Sequence, residues 1–255
     1  MRDGIEVTFF VACYNEAPRI RGALEVIRTT AEELKIQYEV IAVDDGSTDG
    51  SADVVEEYAR EHKEIKIIIQ RNEENRGLAR SFVDAAFLGR GRYYRLICGD
   101  DVEDKETVVK ILQQRGKADI ILPYYPDLPG KSGARKVISR LYTFVIDLIG
   151  GYKIRYYNGC ALYYRYHVMR WAPYDYGFGF QANLITTLIE EGATYHEMPV
   201  KGRHVDKGTH GSPLHLRNLL SVTKTILEIG IRRCRRLIFR THLVTKREPI
   251  YNDLP

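Results

Sequence analysis

Val40-Ile41-Ala42-Val43-Asp44-Asp45-Gly46-Ser47 and Ile97-Cys98-Gly99-Asp100-Asp101 decide the fold of this 255-residue chain. Each is a short apolar run that ends abruptly in two carboxylates. A buried strand ending in acids delivers them to its C-terminal end, where open α/β sheets bind ligands. Four carboxylates aimed at one cleft repel one another unless a divalent cation or a hydrogen-bonding ligand lies among them. The two stretches together predict a nucleotide-and-metal site.

Working outward, Glu6 to Cys13 reads as a first buried strand stopped by Tyr14-Asn15-Glu16-Ala17-Pro18. Helix 19–35, strand 38–43, helix 51–62, strand 65–70, helix 78–90, strand 93–98, helix 104–115 and strand 118–122 follow in alternation. That rhythm predicts an α/β fold with a mainly parallel central sheet flanked by helices. After Pro123 come a breaker-rich loop, a helix over 134–149, one or two strands within 155–164, a glycine-aromatic loop over 173–180, helix 181–191 and strand 194–200. Ser212-Pro213 opens a long amphipathic helix reaching about Phe239. The expected organisation is one domain over 1–212, with a nucleotide half (1–125) and an acceptor half (126–212), then a basic amphipathic helix and tail over 213–255.

A hydrophobic fraction of 44% supports an ordinary core, and a net charge of +4 gives no argument for a nucleic-acid partner. Cys13, Cys98, Cys160 and Cys234 lack zinc or disulfide spacing, which favours reduced thiols in the cytoplasm. Met1 to Gly4 lead straight into a strand-like run without a leader pattern. No apolar run approaches the length of a membrane span. Arg232, Arg233, Arg235, Arg236 and Arg240 crowd the end of the last helix. Its apolar positions (Leu216, Leu219, Leu220, Ile226, Leu227, Ile231 and Ile238) complete a pattern suited to an anionic membrane surface. The expected location is cytoplasmic, peripheral on the inner face of a membrane. Helix 134–149, with Tyr142 and Phe144, is a second interface candidate, whereas Tyr156-Tyr157 and Tyr163-Tyr164 read as core and sheet residues.

Gly99-Asp100-Asp101 carries the stronger chemical signal. Mg²⁺ or Mn²⁺ takes one or two carboxylates and completes its shell with phosphate oxygens. At an effective dielectric of ~20, a doubly charged ion ~5 Å from one carboxylate gains on the order of 6 kcal/mol. Asp101 or Asp104 also suits the N-cap of the next helix, but a cap explains one acid, not both. At Asp44-Asp45-Gly46-Ser47 an Asp can accept from a base N–H, and the glycine lets a ligand approach the backbone; the same residues also make an ordinary turn.

Cys13-Tyr14-Asn15-Glu16, Val43-Asp44-Asp45-Gly46-Ser47-Thr48-Asp49-Gly50-Ser51, Asn75-Arg76-Gly77-Leu78-Ala79-Arg80 and Gly99-Asp100-Asp101 stand in the order seen in family 2 glycosyltransferases. The chain resembles those inverting enzymes, which have a GT-A (Rossmann-like) fold and use nucleotide-diphosphate sugars. The resemblance implies nucleotide contacts from Ala12, Tyr14, Glu16, Asp44, Asp45, Arg76 and Asp100, with Asp100 on the ribose or sugar side. It implies Asp101 as the metal ligand and Asp100 and Asp101 as catalytic. Two departures stand out: Ala12 where the family often has Pro, and Gly99 in place of the first acid of the usual Asp-x-Asp.

The second half resembles the polyprenyl-phosphate branch typified by dolichyl-phosphate mannosyltransferases, through Arg135-Lys136-Val137-Ile138-Ser139, Phe178-Gly179-Phe180-Gln181, Glu197-Met198-Pro199-Val200 and the loop at Gly208. This implies a diphosphate or acceptor-phosphate set of Arg135, Ser139, Arg203, His204, Lys207 and His210. Val205 and Gly211 stand where the branch's loop has Arg and Lys. The expected partners are a nucleotide-diphosphate sugar and a polyprenyl-phosphate or other lipid-linked acceptor. Gln181-Ala182-Asn183 provides no carboxylate where hydroxyl-glycosylating relatives place a base. A phosphate monoester, with its second pKa near ~6, is already an ionised nucleophile at pH 7. Asp175 is the candidate base if a saccharide or lipid hydroxyl is the acceptor instead. A nucleotidyltransferase would want a glycine-rich, lysine-bearing loop after the first strand, which residues 12–18 lack. A non-catalytic membrane scaffold is the remaining alternative.

Overall fold

The computed structural model describes residues 4–100, 103–126, 133–173, 176–201 and 216–239. Along the chain, β1 (Val7–Cys13), α1 (Ile20–Leu34), β2 (Tyr38–Asp44), α2 (Ser51–Glu61), β3 (Lys66–Arg71), α3 (Leu78–Leu88), β4 (Tyr93–Cys98) and α4 (Lys105–Leu112) come first. There follow β5 (Ile120–Tyr124), α5 (Gly133–Gly150), β6 (Leu162–Tyr164), α6 (Arg165–Arg170), α7 (Phe180–Glu190), β7 (Tyr195–Pro199) and α8 (Leu216–Phe239). They group into two compact units: Met1–Arg115 with Cys160–Arg170, and Gly116–Gly159 with Trp171–Pro255.

In the first unit the strands lie in the order β3-β2-β1-β4-β6. The β1–β2, β2–β3 and β1–β4 pairs are parallel, and β6 runs antiparallel to β4. β1 (VTFFVAC) reads as a continuous apolar run because helices cover both faces of a parallel sheet; Val7, Phe9, Phe10 and Val11 are fully buried. α1 docks through Ile20, Leu24 and Ile27, the helical spacing legible in the sequence. Registers Cys13↔Asp44 and Ala12↔Cys98 level the C-terminal ends of β1, β2 and β4.

In the second unit β5 pairs in parallel with β7, Ile120↔Tyr195 through Tyr124↔Pro199. The start of the pair is clasped by Asp119, whose Oδ2 accepts from Thr194 N (2.8 Å) and Thr194 Oγ1 (2.7 Å). α5 packs on α8 around Ile146 and Ile229, both fully buried. Arg233 donates to Leu148 O (3.0 Å) and Ile149 O (3.2 Å), and Arg236 to Gly150 O (3.3 Å). These bonds satisfy carbonyls that the end of α5 leaves without intrahelical partners. Arg232 pairs with Glu190 (2.9 Å) and Glu228 (3.0 Å). Three of the arginines expected on lipid headgroups thus hold α8 to α5 and α7. The apolar face that remains outward is broad: Val137, Leu141, Phe144 and Leu148 on α5, with Leu219, Leu227, Ile231 and Ile238 on α8.

Several boundaries differ from expectation. The 155–164 stretch forms only the three-residue β6, and α6, which has no clear apolar period, follows it directly. α4 stops at Leu112, and β5 runs through Pro123 to Tyr124. Tyr157, Tyr163 and Tyr164 are buried as expected, while Tyr156 lines a pocket described below. No helix among the described residues is long and apolar enough to cross a membrane.

Candidate active site

The chain adds β2 on one side of β1 and returns to add β4 on the other, so the strand order switches direction beside β1. Ligands of open α/β sheets bind outside the carboxyl ends of the strands at such a point. A cleft of about 280 Å³ lies there, lined by Ala12, Cys13, Tyr14, Glu16, Asp45, Asn75, Leu78, Ser81, Gly99 and Asp100, among others. Of the residues expected on a nucleotide, Ala12, Tyr14, Glu16, Asp45 and Asp100 therefore share one cleft. Tyr14 is the most open of them, at 51% exposure.

The polar motif after β2 is chiefly a clamp on the loop after β1. Asn15, in the left-handed region (φ 56°), donates from its backbone N to Ser47 Oγ (2.9 Å) and accepts from Thr48 N (2.9 Å). Glu16 N donates to Ser51 Oγ (2.8 Å) and Ala17 N to Asp49 Oδ2 (3.0 Å). Tyr14 and Glu16 are held at the rim by this stitching, and Glu16 pairs with Arg19 at 3.2 Å.

The two acids after β2 differ sharply. Asp44 is buried and accepts from Ser47 N at 3.2 Å. The Asp45 carboxylate gathers the loop ahead of α3: it accepts from Asn72 Nδ2 (2.8 Å), Arg76 N (2.9 Å), Gly77 N (2.8 Å) and Ser81 Oγ (3.4 Å). The Arg76 guanidinium pairs with Asp84 at 3.2 Å. Gly46 has φ +79°, and a Cβ there would lie 2.9 Å from the Glu74 carbonyl carbon and 3.0 Å from Asn75 N. What approaches the Gly46 backbone is this loop, where the sequence suggested a ligand. Asn72 and Ser81 were not foreseen as site residues; Asn72 is reached through Asp45, and Ser81 both bonds Asp45 and lines the cleft.

After β4 the constraints are different. Gly99 N donates to Ala12 O (2.8 Å), and a Cβ on Gly99 would stand 2.7 Å from that oxygen and 2.8 Å from Ile20 Cδ1. No side chain fits, so the family's first acid is excluded here by the backbone of β1. Asp100, half-buried, borders the cleft. Asp104 caps α4, accepting from Thr107 N at 2.7 Å. Arg95, fully buried in β4, directs Nη2 to both oxygens of Glu103, at 2.9 and 2.8 Å. Burial pushes the Glu103 carboxyl up, Arg95 opposes this, and the neighbouring Asp100 charge adds to the rise. Burial lifts the Cys13 thiol to about 11. The hydrogen bond to Cys160, then burial, lift Cys98 well above its usual range, so neither cleft thiol supplies a thiolate nucleophile.

Asp101 and Asp175 lie outside the described residues, as do Arg203, His204, Lys207 and His210. Among the described residues no group of three or more His, Cys, Asp or Glu is placed to hold a metal. A hard cation that completes its shell with phosphate oxygens and water asks for one or two carboxylates, which Asp100-Asp101 supply in composition.

In the second unit a pocket of about 120 Å³ is lined by Tyr125, Pro126, Lys136, Ser139, Arg140, Thr143, Arg155 and Tyr156. Ser139 was expected at a phosphate; Lys136, Arg140, Thr143 and Arg155 were not. Arg155 is held by a hydrogen bond to Tyr124 Oη and lies over that ring, 4.6 Å from its centroid. At the start of α7, the buried Asn183 amide oxygen accepts from Trp171 Nε1 (3.1 Å) and Thr187 Oγ1 (3.2 Å), a packing role.

A cleft at the carboxyl ends of parallel strands, beside a switch in strand order, is where an open α/β sheet binds its ligand. A profile described as "Glycosyl transferase family 2" matches residues 8–170, and the chain belongs to that family. It is similar to "Dolichyl-phosphate beta-glucosyltransferase ALG5C" of Trichomonas vaginalis, 24% identical over 89% of this chain and 71% of that protein. It is also similar to "Dodecaprenyl-phosphate galacturonate synthase" of Rhizobium johnstonii, 28% identical over 62% of this chain and 47% of that protein. Three further relatives are matched over 30% to 38% of their length. Among solved structures it resembles glucosyl-3-phosphoglycerate synthase from Mycobacterium tuberculosis in complex with Mn²⁺, uridine diphosphate and phosphoglyceric acid. That likeness has a TM-score of 0.62 at 15% identity, over 91% of this chain and 79% of the other. The fold is GT-A.

Proposed function

We propose that this chain moves a sugar, with inversion, from a nucleotide-diphosphate donor onto a polyprenyl phosphate at the cytoplasmic face of a membrane. The observation that carries the acceptor assignment is the basic pocket on α5. Three cationic residues (Lys136, Arg140 and Arg155) with Ser139, Thr143 and two tyrosines line a space of about 120 Å³ beside the helix whose outer face is apolar. Phosphate is recognised by such charge-assisted donors, and the apolar face suits the chain that the phosphate carries. Three relatives are named for polyprenyl-type phosphates.

In this reading Tyr14, Glu16 and Asp44 serve the base end of the donor, Asp45 shapes the loop against it, and Asp100 serves the sugar side. Asp101, with Asp100 next to it in sequence, would hold Mg²⁺ or Mn²⁺, which would supply electrostatic stabilisation of the departing diphosphate. Arg203 and Lys207 would add positive charge there, with His204 and His210 as hydrogen-bonding groups. Lys136, Ser139, Arg140 and Arg155, with Arg135, neutralise and orient the acceptor phosphate. The phosphate oxygen attacks the anomeric carbon from the side opposite the leaving group, and no general base is needed. The exposed residues of α5 and α8 rest on the membrane as a peripheral contact. Residues 1–125 form the nucleotide-sugar half, 126–212 the acceptor half, and 213–255 the membrane-facing helix and tail.

The test is transfer of label from UDP- and GDP-sugars to polyprenyl phosphate and to the corresponding polyprenol. The phosphate alone is expected to accept, and Asp175→Asn is expected to leave turnover unchanged. Transfer to the alcohol, abolished by Asp175→Asn, would replace this reading with the hydroxyl-acceptor one.

A further inference from the structure

Arg95 is an arginine in the middle of an otherwise apolar strand, and it is fully buried. Its neighbours in register are Phe9 on β1 and Leu162 on β6, neither of which gives a guanidinium a partner. Its Nη2 is shared by both oxygens of Glu103, while Nε and Nη1 have no hydrogen-bond partner among the described residues. The strand thus carries a desolvated cation whose described hydrogen bonds all go to one carboxylate. Removing two ions from water is costly, and buried pairs are commonly replaceable by apolar residues with no loss of stability. Stability is therefore a poor account of this pair, and its position supplies another.

Glu103 lies two residues beyond Asp101 and directly before Asp104, the N-cap of α4. Asp100 stands between two fastened points, Gly99 and Glu103. Gly99 N is bonded to Ala12 O, and Glu103 is tied to the body of β4. We infer that Arg95 and Glu103 are positioning residues for Asp100 at the cleft and, through it, for the metal site of the donor reading. Neither touches the reacting atoms. The inference rests on the donor-and-metal reading above and adds to it the device that positions Asp100. Groups that orient a metal's ligands without touching the metal change its affinity by about 10- to 100-fold when removed.

The experiment uses the full chain and the double variant Arg95→Met/Glu103→Met, which removes both buried charges at once and so leaves neither unpaired. Mn²⁺ affinity is read by electron paramagnetic resonance with UDP or GDP present, nucleotide affinity without metal by calorimetry, and folding by circular dichroism. The expected result is a native-like spectrum, unchanged metal-free nucleotide affinity and Mn²⁺ affinity weakened about 10-fold or more. Arg95→Lys, which keeps the charge but not the planar guanidinium, is expected to fall between the two. Native Mn²⁺ affinity in the double variant overturns the inference while leaving the donor reading intact. Absence of Mn²⁺-dependent nucleotide binding in the native protein overturns both. Should the double variant not fold, Glu103→Gln decides: a loss of about threefold or more supports the inference, and native affinity overturns it.

Discussion

The acid pairs after β2 and after β4 look alike in sequence, yet the described residues around them are held differently. After β2, the Asp45 carboxylate accepts four hydrogen bonds from the 72–81 segment, and Ser47, Asp49 and Ser51 hold the loop after β1. That motif spends most of its polar atoms on the protein itself. After β4, Gly99 is locked to β1, Asp104 caps the helix, and Asp100 borders the cleft. The Asp45 carboxylate is engaged by four donors, two of them backbone N–H groups, whereas Asp100 borders the cleft. The prediction is that mutations after β2 act first on stability and mutations after β4 first on activity.

The largest effect is expected from Asp101→Ala. Donor turnover falls about 10³-fold, the scale of a lost electrostatic stabiliser, while the ligand-free melting temperature changes little. A turnover assay and a thermal melt on the same sample check both halves. Asp45→Ala is expected to cost on the order of 3 kcal/mol through lost charge-assisted and buried hydrogen bonds. For a chain of this size that is a fall of about 6–12 °C in melting temperature. A stable Asp45→Ala protein with abolished turnover would erase the contrast between the two pairs.

Gly99→Asp sharpens the comparison, because it restores the acid that family members carry at this position. A Cβ 2.7 Å from Ala12 O must push β1 and β4 apart. The variant is expected to lose about 2 kcal/mol and to bind Mn²⁺ no better, as denaturant melts and metal titration would report. The smallest effect lies at the opposite end of β2. Burial would raise the Glu39 carboxyl, but Lys66 Nζ (2.8 Å), the Arg90 and Gly91 amides and Thr8 Oγ1 (2.8 Å) hold it below its ordinary value of about 4.5. Its folded value is depressed, so its contribution is present above about 4.5 and is lost as pH falls through the folded value. Melting temperature should decline on acidification in that window, and less steeply in Glu39→Gln.

The strand–helix rhythm through residue 124 was legible because β1, β2 and β4 are short, wholly apolar and stopped by charged or glycine residues. The family motifs led directly to the cleft. The division of labour within Asp44-Asp45 was hidden, since the partners of Asp45 come from a loop some thirty residues on that only folding brings near. The Arg95–Glu103 pair was equally hidden: an eight-residue separation across a strand end matches no local pattern. The arginines of α8 fit a headgroup surface and a core-packing helix with a basic flank equally well in sequence, because periodicity cannot tell a cation facing lipid from one capping a neighbouring helix. In the second half, Ser139 was found by its motif, but Arg155 joins its pocket only through the chain's return beside β5.

The most direct test is a thermal-shift titration of the full chain with UDP and GDP, with and without Mn²⁺. Saturation at about one hundred times Kd is worth ~2.7 kcal/mol, or several degrees at this size. The account predicts that at least one nucleoside diphosphate gives a Mn²⁺-dependent rise which Asp101→Ala removes and Ser139→Ala preserves. No Mn²⁺-dependent shift with either nucleotide, or the same shift in Asp101→Ala, would contradict it.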